Sequence, residues 1–219
     1  MELEEAMKNR HMVRKYKDIN LSNVTIDKLN KRIEINNKTY NLSIKLRIND
    51  KKAVNTIARL ILAKGVKNYF ILAGDEGIDL DERLGYCAAD LMLYAQSLGL
   101  NTWYVGGMFN RNVEQYVPGK KVIGIIAVGY GQKSGIAHKS KHVNDVSSYE
   151  GKAPEWFIKG IKASLLAPTA LNKQDYFITG NMNVVKIDNN NGIFTGVKRG
   201  LIKYHFEQGA GKENFKWQL

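Results

Sequence analysis

The sequence is poor in several things, and each shortage removes a class of function. A single cysteine, Cys87, excludes an intramolecular disulfide framework and any multi-cysteine zinc or iron–sulfur site. Three prolines in 219 residues argue against Pro-rich linkers. Long apolar runs are missing: VIGIIAV (122–128) and LILA (60–63) fall far short of the roughly 20 residues that span a bilayer. The opening MELEEAMKNRH has neither the basic nor the apolar region of a secretory signal, so a soluble cytoplasmic protein is expected, without membrane partners. No GxSxG, HExxH, GxGxxG or Walker loop is present. The four histidines (His11, His138, His142 and His205) are not spaced with carboxylates as metal ligands are, and no metal is expected. Acid is scarce too: 21 acidic residues against 33 basic ones leave a net charge of +12. That balance suits an anionic partner, or reflects a Lys-rich surface that is simply solvated.

What is present is globular, with 44% hydrophobic and 10% aromatic residues. Helical spacing predicts short helix over 2–9, helix from a cap at Ser22 or Thr25 to about Ile35, and helix within 53–63. A long helix is predicted from about Asp79 to Leu98, stopped by Gly99, with further helices over 153–167 (Pro154 in the first turn) and from about Gly196 to Gln208. Alternation in TYNLSIKLRI (39–48) predicts a half-buried strand. NYFILAG (68–74) and KKVIGIIAVGYG (120–131) read as buried strands, and NTWYVGG (101–107) as a strand running into a Gly-Gly turn. DYFITG and NVVKID form a strand pair, followed by a turn at NNNG (189–192). The polar stretch 131–152 reads as a linker. Residues 83–104 also resemble residues 199–217: each begins with Arg near Gly, continues as an apolar-faced helix and reaches Trp. Gly85 precedes Trp103 by 18 positions and Gly200 precedes Trp217 by 17, which points to two related halves.

Four short segments carry candidate chemistry. Arg10, His11, Arg14 and Lys15 cluster after the first helix, where arginine forks suit phosphate oxygens; taken alone they also fit a solvated turn. Gly106 and Gly107 follow an apolar strand and leave room for close approach of a planar ligand or of backbone. Lys139 and Lys141 alternate, so both ammonium groups can face one side of an extended segment. APTALNKQ (167–174) places a hydroxyl and two amides at a helix end, able to hydrogen-bond a heterocycle rich in carbonyls or to cap that helix.

Together these segments resemble the FMN-dependent nitroreductase family, in its short rearranged branch. The family pattern R-[RH]-S-x-[RK]-x-[FY] is matched by Arg10-His11-Met12-Val13-Arg14-Lys15-Tyr16, and [AS]-P-[ST]-x-x-N-x-Q by Ala167 to Gln174. G-[LF]-x-[ST]-x-W-x-x-G is matched by Gly99 to Gly107, and the basic K-x-[RK] by Lys139-Ser140-Lys141. Two departures stand out. Met12 replaces the usual serine, and the A-P-T motif follows the Trp motif where the family usually has it first.

The resemblance implies an α+β nitroreductase-like fold. In the common family the flavin lies between two subunits. The motif order and the internal repeat together imply an intrachain pseudo-dimer: residues 1–150 carry the phosphate and ring motifs, residues 151–219 supply the A-P-T loop, and a monomer is one option for the assembly. The resemblance further implies FMN as cofactor, its phosphate met by Arg10, Lys139 and Lys141, with contacts from His11 and Met12. Arg14 would sit toward the N1/O2 side of the ring. The backbone of Tyr104, Val105, Gly106 and Gly107 would line the ring, and Thr169, Ala170 and Asn172 would reach it from the other half. NAD(P)H would give hydride to the flavin N5 and leave before a nitroaromatic, quinone or similar small electron acceptor is reduced, with no catalytic side chain required. Cys87, on a helix face, is expected in the core. The alternatives are a non-catalytic FMN carrier or sensor, and a nucleic-acid binder read from the charge. The scattered basic clusters fit one phosphate better than a nucleic-acid face, so no nucleic acid is expected.

Overall fold

The computed structural model describes every residue except 138, 190, 191, 193 and 219, so His138 and part of the 189–192 turn lie outside the described residues. It is a mixed α+β structure with two four-stranded sheets. The first comprises β1 (Lys45–Arg47), β2 (Tyr69–Gly74), β3 (Asn101–Val105) and β4 (Lys121–Gly129), in the order β1-β2-β4-β3 with every neighbour antiparallel. The second comprises β5 (Ser147–Tyr149), β6 (Tyr176–Asn181), β7 (Val184–Asn189) and β8 (Lys216–Trp217) in sequence order. Here β5–β6 and β7–β8 are parallel pairs, and β6–β7 is antiparallel.

The two segments read as buried strands, 68–74 and 120–131, are β2 and β4, each contributing side chains to two hydrophobic clusters. Along β2, Phe70 and Leu72 enter one hydrophobic cluster while Tyr69, Ile71 and Ala73 enter another on the opposite face. Such a strand has no solvent face to keep polar, so its pattern is continuous rather than alternating. The first cluster is closed by α1 (Leu3–Asn9), α2 (Asn23–Tyr40) and α4 (Leu80–Ser97); the second by α3 (Thr56–Ile61) and the 3-10 turn at 111–116.

α4 is the central helix, and even its Asp90 and Gln96 are buried. The Asp90 carboxylate accepts from Arg32 Nε at 2.7 Å, Asn36 Nδ2 at 2.8 Å and Tyr204 Oη at 2.8 Å, so this buried charge is fully partnered. The amphipathic α6 (Glu155–Ser164) and α7 (Thr195–Ala210) cover the second sheet. α7 serves two cores: Val197, Leu201 and Tyr204 face the first sheet's cluster, and Ile202, Phe206 and Ala210 face the second sheet's. Where α4 and α7 cross, glycine is obligatory. A Cβ on Gly85 would lie 2.2 Å from the Val197 carbonyl oxygen, and one on Gly200 would lie 2.0 Å from that of Glu82.

Three expectations need correction. Residues 39–48 are not one strand: α2 runs on through Tyr40 and ends at Asn41 in the left-handed region (φ 49°), and only Lys45–Arg47 pair as β1. The Asn37 side chain fixes this end, accepting from Ile44 N at 2.8 Å and donating to Ile44 O at 2.9 Å. Residues 131–152 are not merely a linker, because they contain α5 (Val143–Val146) and β5, and Val146 is fully buried. Pro154 is the N-cap of α6 rather than a member of its first turn. Among the described residues no helix is long and apolar enough to cross a membrane.

Candidate functional site

The Arg10–Tyr16 segment leaves α1 and runs beside the start of β3. Met12 bridges Thr102 in parallel, and Val13 N donates to Thr102 O at 3.1 Å. On its other side lies the chain that follows β4: Lys17 N donates to Tyr130 O and Gln132 N to Lys15 O. Gly135 presses on the same segment, with no room for a Cβ beside His11 (2.4 Å). The continuation of that loop meets the A-P-T segment. Asn172 Nδ2 donates to Lys139 O at 2.9 Å, and Lys141 N donates to Gln174 Oε1 at 2.8 Å. Hydrogen bonds thus tie the Arg10–Tyr16 segment to β3 and to the chain that follows β4, and further along that chain they tie Lys139 and Lys141 to the A-P-T loop.

Arg10 is the unusual residue of this group. It is only 5% exposed, yet its Nε has no hydrogen-bond partner, and no ion pair of its guanidinium exists among the described residues. Burial pulls its pKa down to about 10, which still leaves it charged at neutral pH. A buried cation without an anion is costly, so this geometry calls for one. The Nε of Arg14 is also buried and unpartnered, and its guanidinium lies 5.5 Å from the centre of the Trp103 ring. Thr102 Oγ1 and Tyr104 Oη are two more buried orphans on the adjoining strand, and burial raises the Tyr104 pKa.

The remaining predicted residues are placed as follows. His11 is half-buried, and Met12 is 50% exposed. The Val105 side chain is in the core, so only its backbone is available to a ligand. Gly106 and Gly107 lie at the far end of β3 from Thr102, about 13 Å or more along an extended strand. A Cβ on Gly107 would meet open space, whereas one on Gly106 would strike the Phe194 ring at 2.7 Å. Lys139 is exposed; the Lys141 ammonium donates to Gln174 O at 3.0 Å and acts as a strut between the loops. Thr169 Oγ1 accepts from Gln174 N at 3.1 Å, and Ala170 is exposed. Leu171, Asn172 and Gln174 all have positive φ (52°, 55° and 47°), a concentration of strain that suits a functional loop.

Gln174 is the residue that sequence reasoning passed over. It is 1% exposed, and its side chain joins Lys141, Asn172 and Lys139. Its signal was available as the last position of the A-P-T pattern. Among the described residues no group of three or more His, Cys, Asp or Glu side chains is placed to hold a metal.

The family described as "Putative TM nitroreductase" matches residues 2–210. Among solved structures, the chain is similar to a "putative nitroreductase" from Thermotoga maritima at 20% identity and a TM-score of 0.64, over 94% of this chain and 82% of that one. It is similar to a nitroreductase-like protein from Streptococcus mutans at 17% identity and a TM-score of 0.54, over 64% of this chain and 94% of that one. A "putative NAD(P)H:FMN oxidoreductase" from Staphylococcus epidermidis is similar at 13% identity and a TM-score of 0.50, over 66% and 94% of the two chains. No curated protein matches the sequence.

Proposed function

We propose for this chain, which belongs to the family described as "Putative TM nitroreductase", an FMN-dependent oxidoreductase activity that takes hydride from NAD(P)H and reduces a small acceptor such as a nitroaromatic or quinone. The observation that carries this reading is Arg10, a buried guanidinium with no anion among the described residues, together with the orphaned Nε of Arg14 four positions on. A ligand phosphate supplies the missing partner, and charge-assisted pairing of this kind is strongest where water is excluded. FMN, when bound, supplies the redox chemistry.

The residues of this chain bind and orient. Arg10 holds the phosphate, with His11 and Met12 beside it and Lys139 contributing positive charge from the exposed rim; Lys141 braces the loop. Arg14 places a fixed cation against the ring, where it stabilises the negative charge of reduction. The backbone of Tyr104 to Gly107 lines the ring, and Thr169, Ala170 and Asn172 approach it on the strained loop. Exposed Leu171 offers an apolar surface beside that loop.

In this reading residues 1–150 and 151–219 are related halves that make one site between them. The element order supports it: α2-β1-β2-α4-β3 recurs as α6-β6-β7-α7-β8, with α3 as an insertion in the first run, β4 inserted between its parallel strands, and α5 and β5 between the two runs, β5 joining the edge of the second sheet. The helix crossing supports it as well. Pairing Gly85 with Gly200 pairs Glu82 with Val197, and the contact of Gly85 with Val197 is returned by that of Gly200 with Glu82. Reciprocal contacts of this kind are the mark of a two-fold relation. The solved structures add that two of the similar proteins are matched over nearly their whole length by about two thirds of this chain.

The test is to load the chain with FMN and add NADH or NADPH without oxygen. Bleaching of the flavin absorbance, then its recovery on adding a quinone, is expected. Tight FMN binding without bleaching would instead establish the carrier reading, which the loss of a hydroxyl at Met12 favours.

A further inference from the structure

A cavity of about 220 Å³ is lined by residues of both α4 and α7. Its walls are Tyr40 from the end of α2, Tyr86 from α4, and Phe215 and Trp217 from the C-terminal segment, with Glu207 and Lys212 completing it. The Glu207 side chain is only 11% exposed. It is fixed by Trp217 Nε1, which donates at 2.8 Å, and by Tyr86 Oη, which donates at 2.5 Å. The Tyr40 and Tyr86 rings stand 5.3 Å apart, and those of Phe215 and Trp217 stand 5.1 Å apart. A held carboxylate among four aromatic rings is an environment for a cation, because ring faces and carboxylate attract positive charge together.

The chain already places a cation there. Lys212 Nζ lies 3.0 Å from Glu207 Oε2, 2.6 Å from Tyr86 Oη and 5.2 Å from the Tyr86 ring centre. Yet the Lys212 side chain is 59% exposed, so its ion pair is worth little and its displacement costs little. It also lines the adjoining cavity of about 440 Å³, which shares Tyr40 and Tyr86. Three further cations of these elements are committed elsewhere: Lys203, 5.3 Å from the Trp217 ring centre, donates to Glu82 at 2.5 Å, Arg32 pairs with Asp90, and Arg83 pairs with Asp79.

We propose that the cavity around Glu207 is a second binding site, for the alkylated ammonium group of a small molecule, and that Lys212 is its resident stand-in. An alkylated ammonium is a weakly hydrated cation, and its methyl groups suit a cavity lined by aromatic rings better than the strongly hydrated primary amine of a flexible stem does. The site is independent of the flavin reading and opposite to it in sign, since Arg10 awaits an anion and Glu207 holds a cation.

The test is calorimetric titration with choline, with 3,3-dimethyl-1-butanol as the uncharged probe of the same shape. Lys212→Ala, a change at an exposed side chain, should tighten choline binding by about fivefold or more, the equivalent of one cation–π contact. Adding Glu207→Gln, which keeps an acceptor for Trp217, should abolish the binding while thermal unfolding shows the fold intact. No choline binding by the Lys212→Ala chain would overturn the proposal. So would equal binding of the uncharged probe, or choline binding that survives Glu207→Gln.

Discussion

The two sheets of this molecule differ in how they are covered. The first is enclosed: residues of β2 and β4 alternate between two hydrophobic clusters, and every residue of β2 is buried. The second is packed on one face only. Along β6, Tyr176, Ile178 and Gly180 face α6 and α7, while Phe177, Thr179 and Asn181 turn outward. A sheet enclosed on both sides is a rigid floor, and the candidate phosphate and ring motifs lie along its edge strand β3. A sheet covered on one side is a support, and its half of the chain contributes the strained loop 167–174. The shared helix α7 packs into the cores of both sheets, which is where the comparison can be broken hardest.

Gly85→Leu should have the largest effect. The Cβ alone would collide with the Val197 backbone, so α4 and α7 must separate. A loss of more than about 4 kcal/mol, or no cooperative transition at all, is expected in urea unfolding followed by circular dichroism. Ile71→Ala, in the enclosed sheet, should cost about 2–5 kcal/mol in the same measurement.

Arg10→Met separates binding from stability. FMN affinity should fall by roughly 30-fold, or about 2 kcal/mol, by fluorescence titration. Fold stability should hold or rise, because an unpaired buried charge is removed. The pH dependence carries the same signature. Since the folded pKa is depressed only to about 10, Arg10 keeps its proton at neutral pH, and its contribution to FMN binding should be lost only as pH rises through that value. Phe177→Ser, on the open face of the second sheet, should change stability by no more than about 0.5 kcal/mol. Comparable losses from Ile71→Ala and Phe177→Ser would erase the contrast between the sheets.

The parts of the fold that could be read in the sequence are those where pattern and burial coincide. β2, β4 and α4 carry their apolar residues in unbroken or helical spacing, and each is found within a residue or two of its expected limits. The end of α2 was hidden because a side chain decides it: Asn37 reaches across to Ile44, and no periodicity encodes that contact. β5 was hidden because Ser147–Tyr149 is short and polar and gains its place only by pairing with β6. In the candidate site, the motifs named the segments but not their states. Arg10 stands in a run of charges that reads as surface, yet it is buried at the end of α1, a helix packed against α4. Gln174 reads as one more polar loop residue until its four partners, Lys139, Lys141, Thr169 and Asn172, are seen.

The most direct measurement is the stoichiometry of FMN on the purified chain, by fluorescence titration with the mass of the complex taken from light scattering. One FMN per chain in a monomer is the predicted result, since both halves of the site then come from the same polypeptide. One FMN per two chains, or no binding at micromolar FMN, would contradict it.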